Sequence, residues 1–249
     1  MPFTGSHPAA IVPFLRTGLV PSALVIGSMA PDLPYYLPLP VNWSATHSAA
    51  GVVGVDLVLG LIAFAVWQVL LAPVAVALAP ESLRARLAPD LPVAPAHHVA
   101  SVRAVALVVG SLLVGAATHV LVDEFTHSDR WGTEHIAWLA EQQGPLEGYR
   151  WLQYAGGVLG GALLVWVVWR WWRRTPPVPD AQRIPALGPG TARLVVGVVV
   201  ACALAGSVAG LASADSVREA LFLVATWGGG VGLIATLVCA AACRPRLLA

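Results

Sequence analysis

Residues 99–127 read VASVRAVALVVGSLLVGAATHVLVDEFTH, an apolar run from Val99 to Val122 that closes on the series His119, Asp123, His127. A helix needs roughly 20 apolar residues to cross a bilayer. The run therefore predicts a membrane-spanning helix with three polar side chains at one end. Residues four apart share one stripe of a helix, each about 40° round from the last. Asp and neutral His are costly in hydrocarbon, so their position at the end of a span predicts a functional site.

The rest of the chain fits that reading. Its 249 residues are 57% hydrophobic and 11% charged, with a mean hydropathy of +0.75. Soluble domains carry about 25% charged residues. Further apolar stretches run from about Ala49 to Ala79, Trp151 to Trp172, Leu194 to Ala212 and Leu221 to Ala242. Pro73 is expected to end the regular part of the first. The predicted fold class is all-α: a polytopic membrane helix bundle of about five transmembrane helices plus a short N-terminal helical hairpin.

That hairpin comes from residues 8–31. PAAIVPFL and PSALVIGSMA are each too short to span, and Arg16, Gly18 and Pro21 between them signal a turn. A hairpin returns the chain to its start, which predicts that His7 and Asp32 are neighbours. Residues 173–193, rich in Pro and Arg, read as a linker between a ligand-bearing part (1–172) and two further spans (194–249). The N-terminus lacks a basic segment followed by an apolar core and a cleavage site, and reads as mature sequence.

Cytoplasmic loops hold the excess of Arg in membrane proteins. Arg84, Arg86, Arg103, Arg170, Arg173, Arg174, Arg183, Arg193, Arg244 and Arg246 fall on one side, against Arg130, Arg150 and Arg218 on the other. This predicts a multi-pass protein of the cytoplasmic (inner) membrane with a cytoplasmic C-terminus. His47, His119 and Asp123 then sit at the extracytoplasmic face. No Arg stripe points to nucleic acid, and Cys202, Cys239 and Cys243 form no CxxC pair.

Six residues of metal-ligand type are thus expected at one face: His7, Asp32, His47, His119, Asp123 and His127. Imidazole with carboxylate suits zinc, manganese or iron. Six ligands exceed what one zinc needs, so one or two divalent ions are expected, with a carboxylate bridging in the latter case. The plainer readings are an Asp32 turn carboxylate, a Thr46-Ser48 helix cap with an incidental His47, and a His119–Asp123 hydrogen bond. Asp129 or Glu124 is the expected proton relay. Asp56 lies nine residues after His47, half a turn round a continuous helix, and is expected to face away and pair with another polar group. His97 and His98 read as solvated loop residues, and His135 as a loop residue. Gly206 and Gly210 have the small-xxx-small spacing of helix packing, and Gly228-Gly229-Gly230 is not a phosphate loop.

PFTGSHPAA, ALVIGSMAPDLPYYL, ATHS and THVLVDEFTH followed by RWG resemble the bacterial membrane family known as domain of unknown function 4184, over about residues 1–172. More distantly, the PD…THS…HxxxD order is similar to that of inner-membrane metal-dependent hydrolases and of the all-helical zinc-dependent phospholipase C group. The latter likeness implies Asp32, His47, His119, Asp123 and His127 as ligands. That group also carries a later HxxxE pair, which this chain lacks. The leading expectation is a membrane-embedded, metal-dependent hydrolase of a phosphoester or ester in a lipid-like substrate. Tyr35, Tyr36 and Trp43 would line a lateral path for the lipid. The alternatives are a non-catalytic protein with a structural cluster, and a transporter.

Overall fold

The computed structural model describes residues 4–87, 95–178 and 185–247. A tight 3-10 segment, Thr4–Arg16, leads through a turn into α1 (Pro21–Gly27). Five long apolar helices follow: α2 (Val55–Leu78), α3 (Val102–Thr126), α4 (Gly148–Arg174), α5 (Pro189–Ala212) and α6 (Val217–Cys243). At 1.5 Å per residue each exceeds the roughly 30 Å of a hydrocarbon core. Strand is limited, among the described residues, to a ribbon pairing Gln142–Gln143 with Leu146–Glu147 across Gly144, whose φ is +73°. The protein is an all-helical membrane bundle. Large apolar side chains such as Val158, Leu159, Val165 and Val168 point outward from α4, as a lipid-facing surface requires.

The chain forms two compact units. One comprises Met1–Pro34, Pro40–Phe64 and His98–Arg174; the other comprises Tyr35–Leu39, Ala65–His97 and Thr175–Ala249. In the first, the predicted hairpin is present and lies on α3. Close approach is what fixes it there. A Cβ on Gly27 would strike the Leu112 backbone, and one on Gly115 would strike the carbonyl of Leu24 and the amide of Ser28. Leu24 and Leu112 fill the contact, both essentially inaccessible, alongside Ala23, Phe64 and Val108. The Val20 amide donates to Ser111 Oγ at 2.8 Å. Thr4–Arg16 runs along α4, where Gly160 lets Ser6 and Ala9 approach.

Two sequence expectations need correcting. The regular part of the first span does not run up to Pro73 and stop there. The helix widens into a π turn at Trp67–Leu71, with the Ala72 amide reaching back to Trp67 O, and continues through Leu78. Proline lacks an N–H and crowds the carbonyl four residues back; the wider turn accommodates it. The stretch before α2 is not continuous helix either. Trp43–Thr46 and Ala49–Val53 are separate short helices, capped by the side chains of Asn42 and Ser48. Gly54, at φ −109° and ψ −101°, then breaks the helical phase.

In the second unit, Gly206 and Gly210 lie against the carbonyls of Trp227 and Leu223, the packing role expected of them. Gly228 meets Ser207, and Gly229 and Gly230 meet Tyr36. Tyr35 packs edge-on against Phe222 with ring centres 5.7 Å apart.

Candidate metal centre

The hairpin, the short helices before α2, and the end of α3 deliver five polar side chains to one place in the first unit. His7, Asp32, His47, His119 and Asp123 are each exposed by 4% or less. Asp32 closes the 3-10 turn Ala30–Asp32 that follows α1. His47 occupies the joint between two short helices, where Gly51 allows the second to close on the Ala45 carbonyl. His119 and Asp123 are one turn apart on the inward stripe of α3. The cap at this joint is Ser48, so the His47 side chain turns inward instead.

Two imidazole nitrogens lie close together, each within reach of the same two carboxylates. His47 Nε2 lies 3.2 Å from His119 Nε2, and 3.3 Å from both Asp32 Oδ1 and Asp123 Oδ2. His119 Nε2 lies 3.5 Å from the same two oxygens. Zinc bonds of roughly 2.0–2.1 Å in a tetrahedron place the donors about 3.3–3.4 Å apart, the bond length multiplied by about 1.63. These five separations are close to the donor–donor edges of a tetrahedral zinc-type site.

The tautomers agree with that geometry. His119 Nδ1 donates to the Ser28 carbonyl at 2.8 Å, an acceptor left over at the end of α1. His47 Nδ1 faces Thr46 Oγ1 at 2.9 Å and Trp43 O at 3.2 Å, while the Thr46 hydroxyl donates its own proton to Trp43 O. Both neighbours of His47 Nδ1 are acceptors, so that nitrogen carries the proton. Each Nε2 is then left as a lone pair aimed at its partner and at two carboxylates. Four acceptors converging in a buried space require a cation or an added proton between them. Thr4 hydrogen-bonds Asp32 Oδ2 and fixes that carboxylate from behind.

Asp123 joins this cage to a second cluster. Its Oδ1 lies 3.6 Å from His7 Nε2 and 3.4 Å from His127 Nδ1, and accepts no hydrogen bond among the described residues. Neither nitrogen of His7 makes one either; its ring stacks on His119 at 3.7 Å. Burial holds the His7 imidazole down at about pKa 4, so it is neutral at pH 7. Burial also opposes a charge on His47, but with no ion in the cage a proton added to Nε2 hydrogen-bonds Asp123 and Asp32, which outweighs burial and raises that pKa. For Asp32 burial is overcome by hydrogen bonds from His119 and His47, and the carboxyl stays below its usual range. Two overlapping groups could hold an ion: His7, His119 and Asp123; and Asp32, His47 and His119.

His127 stands at the rim. α3 ends at Thr126, and His127 is its extended cap residue rather than a continuation of the stripe. Its side chain is 20% exposed, and Nε2 lies 3.5 Å from the Gln153 amide nitrogen, which donates to Thr126 O. Glu124 is held away from the cage by Arg130 and by the Trp131 amide. Asp129 is exposed, in a turn at φ +57°.

Asp56 corrects the sequence reading. The helical phase on which that reading rested is broken at Gly54. Asp56 is 1% exposed, its oxygens have no hydrogen-bond partner among the described residues, and His47 and His119 act on it electrostatically. His98 is also not a solvated loop residue: it lies edge-on to Phe64 at 5.2 Å. His97 is exposed, and His135 stacks on Trp131 within the short helix Trp131–His135 that follows α3. Sequence reasoning missed Thr4, Ser28, Gln153, Trp43 as a ring stacked on His47, and Arg130. The first three act through a single hydroxyl, carbonyl or amide whose placement needs the tertiary fold. Arg130 did have a signal, as one of three Arg residues on the cluster's side of the chain.

The family model described as Domain of unknown function (DUF4184) matches residues 1–242. No curated protein and no solved structure matches the chain.

Proposed function

The chain belongs to the DUF4184 family, and we propose that this member is a membrane-embedded metalloprotein that hydrolyses a phosphoester or ester of a lipid-like substrate at the extracytoplasmic face. The observation that carries the reading is the approach of His47 and His119 to each other and of both to Asp32 and Asp123 at 3.2–3.5 Å, with both imidazoles committed to present Nε2. Zinc fits the donor set best.

Asp123 is central because its two oxygens serve different neighbours. Oδ2 belongs to the cage, while Oδ1 faces His7 and His127. A second ion bridged by Asp123 would be held by fewer protein donors, next to the one partly exposed ligand. That incomplete side is where a substrate oxygen would dock. An ion there supplies Lewis acidity and brings the pKa of water to about 7. His7, neutral at pH 7, keeps its lone pair for this position, and His127 guards the opening.

A second reading is favoured by the closure of the cage. Four protein donors saturate a tetrahedral ion, which is the pattern of structural sites. The centre would then staple the hairpin and His47 to α3. The transporter reading has little support, since Thr226 is the one buried polar side chain among the described residues of α5 and α6.

Phospholipids and lipid phosphoesters in nanodiscs, offered to zinc-loaded protein and its chelated form, test the hydrolase reading. It predicts product that depends on metal, with His127→Ala keeping tightly bound metal and losing turnover. A fully loaded protein that releases no product while chelation lowers its melting temperature would leave the structural reading standing.

A further inference from the structure

The loop that follows α3 carries a guanidinium whose use the cage does not explain. Arg130 is placed by the left-handed turn at Asp129, and its amide donates to Thr133 Oγ1 at the start of the helix Trp131–His135. The side chain folds back toward the centre. Nη1 donates to the carbonyl of His47 at 2.8 Å and to Glu124 Oε1 at 3.2 Å. Cζ lies 4.0 Å from the centre of the Trp43 ring. That same ring stacks on His47 at 4.8 Å and stands 6.3 Å from His127. Arg130 is therefore clamped to one cage ligand through its backbone, and shares an aromatic neighbour with the rim ligand.

Only one of its three nitrogens is used. Nε and Nη2 are both shielded from solvent and have no hydrogen-bond partner among the described residues. A buried N–H left unpaired costs about 1–3 kcal/mol, and more on a charged group. These two nitrogens are not an arbitrary pair. Nε–H and the adjacent Nη2–H point the same way and form the side-on fork with which Arg grips two oxygens of a carboxylate or phosphate. Nη1, at the far corner, is the atom that Glu124 and His47 hold. Glu124 and Trp43 thus orient the guanidinium, and the fork remains for something else.

We propose that Arg130 is the oxyanion-recognition residue of the metal centre, taking two oxygens of a phosphate group on its Nε/Nη2 fork. The inference rests on the metal centre proposed above and narrows the choice between ester and phosphoester to the phosphoester. It makes Arg130 a binding residue that contacts substrate, and Glu124 a positioning residue that acts through it. Lys cannot replace Arg here, because an ammonium keeps the charge and loses the planar fork.

The test uses radiolabelled inorganic phosphate in equilibrium dialysis against the full chain in nanodiscs, zinc-loaded, as wild type and as Arg130→Lys. The expected result is saturable phosphate binding to wild type that weakens at least tenfold in the Lys variant, with zinc content unchanged. Equal affinity in the two proteins, or no phosphate binding to a fully loaded wild type, overturns the proposal. Because zinc is measured on the same samples, absence of metal registers as failure of the centre itself rather than of the fork. Should Arg130→Lys fold poorly, Arg130→Gln is read by the same dialysis and zinc analysis: phosphate binding lost with zinc retained supports the fork, and phosphate binding retained overturns it. Nanodiscs containing phosphatidic acid distinguish the source. Competition with inorganic phosphate assigns the group to a lipid, and binding without competition assigns it to a soluble phosphate; either supports the fork.

Discussion

Asp123→Asn is expected to uncouple the metal centre while leaving the helices in place. The substitution keeps the volume of the side chain, but it removes a charge and one donor from the cage, where Oδ2 lies 3.3 Å from His47 and 3.5 Å from His119. Structural zinc sites bind with roughly 10–16 kcal/mol. Shared over four donors, that is about 2.5–4 kcal/mol each. At 1.4 kcal/mol per decade, losing one donor raises the dissociation constant roughly 60- to 700-fold. Asp123 also touches His7 and His127, which favours the upper end. At free zinc 1,000 times the wild-type constant, binding stabilises the wild type by about 4.1 kcal/mol, and a 700-fold weaker variant by about 0.5 kcal/mol. Competition against a chromophoric zinc chelator gives the affinity, and thermal unfolding with and without zinc gives the stabilisation. An Asp123→Asn protein that elutes as a folded species and binds zinc within threefold of wild type would refute the reasoning.

Gly115→Ala is expected to lower stability by about 1–3 kcal/mol, because its Cβ would meet the Leu24 carbonyl and the Ser28 amide; thermal unfolding in detergent, with zinc content alongside, should show both falling together. In chelated protein, His7 at about pKa 4 against an ordinary value of 6.5 makes the unfolded state the better proton acceptor between those values. Stability should therefore drop as pH falls from 6.5 to 4, by up to about 3 kcal/mol from this group. The raised pKa of His47 acts in the opposite sense, so the measurement is the difference between wild type and His7→Gln denaturation across that window. Gly206→Val pushes a side chain into the Trp227 carbonyl and should destabilise the α5–α6 contact while zinc stoichiometry, measured by elemental analysis, stays at the wild-type value.

Much of this architecture is legible in the chain because lipid imposes a simple rule. Helices and closed β-barrels alone satisfy every backbone group in hydrocarbon, and runs of about 20 apolar residues select the helix, so the five spans follow from hydropathy, and five appear among the described residues. The hairpin follows from Gly18 and Pro21 interrupting segments too short to cross. The convergence of His7, Asp32, His47, His119 and Asp123 follows from placing each at the same end of its segment. Helical phase is harder to read. Counting residues from His47 to Asp56 assumes a continuous helix, which Gly54 interrupts, and placing the end of the regular part at Pro73 assumes a regular helix up to it, where a π turn at Trp67–Leu71 comes first. Both are local backbone choices that periodicity does not encode. The Ser28 carbonyl, the Thr4 hydroxyl and Arg130 Nη1 on the His47 carbonyl act through contacts between segments far apart in sequence, and so become visible only once the chain is folded.

The central claim is that His47, His119, Asp32 and Asp123 hold one ion in a tetrahedron. Zinc K-edge X-ray absorption on the purified, zinc-loaded protein, with elemental analysis on the same sample, tests it most directly. The account predicts at least one tightly retained zinc per chain, with four nitrogen and oxygen neighbours at about 2.0–2.1 Å and an imidazole scattering signature. A chain that retains no ion after loading, or an ion surrounded by six oxygens without imidazole, would contradict it.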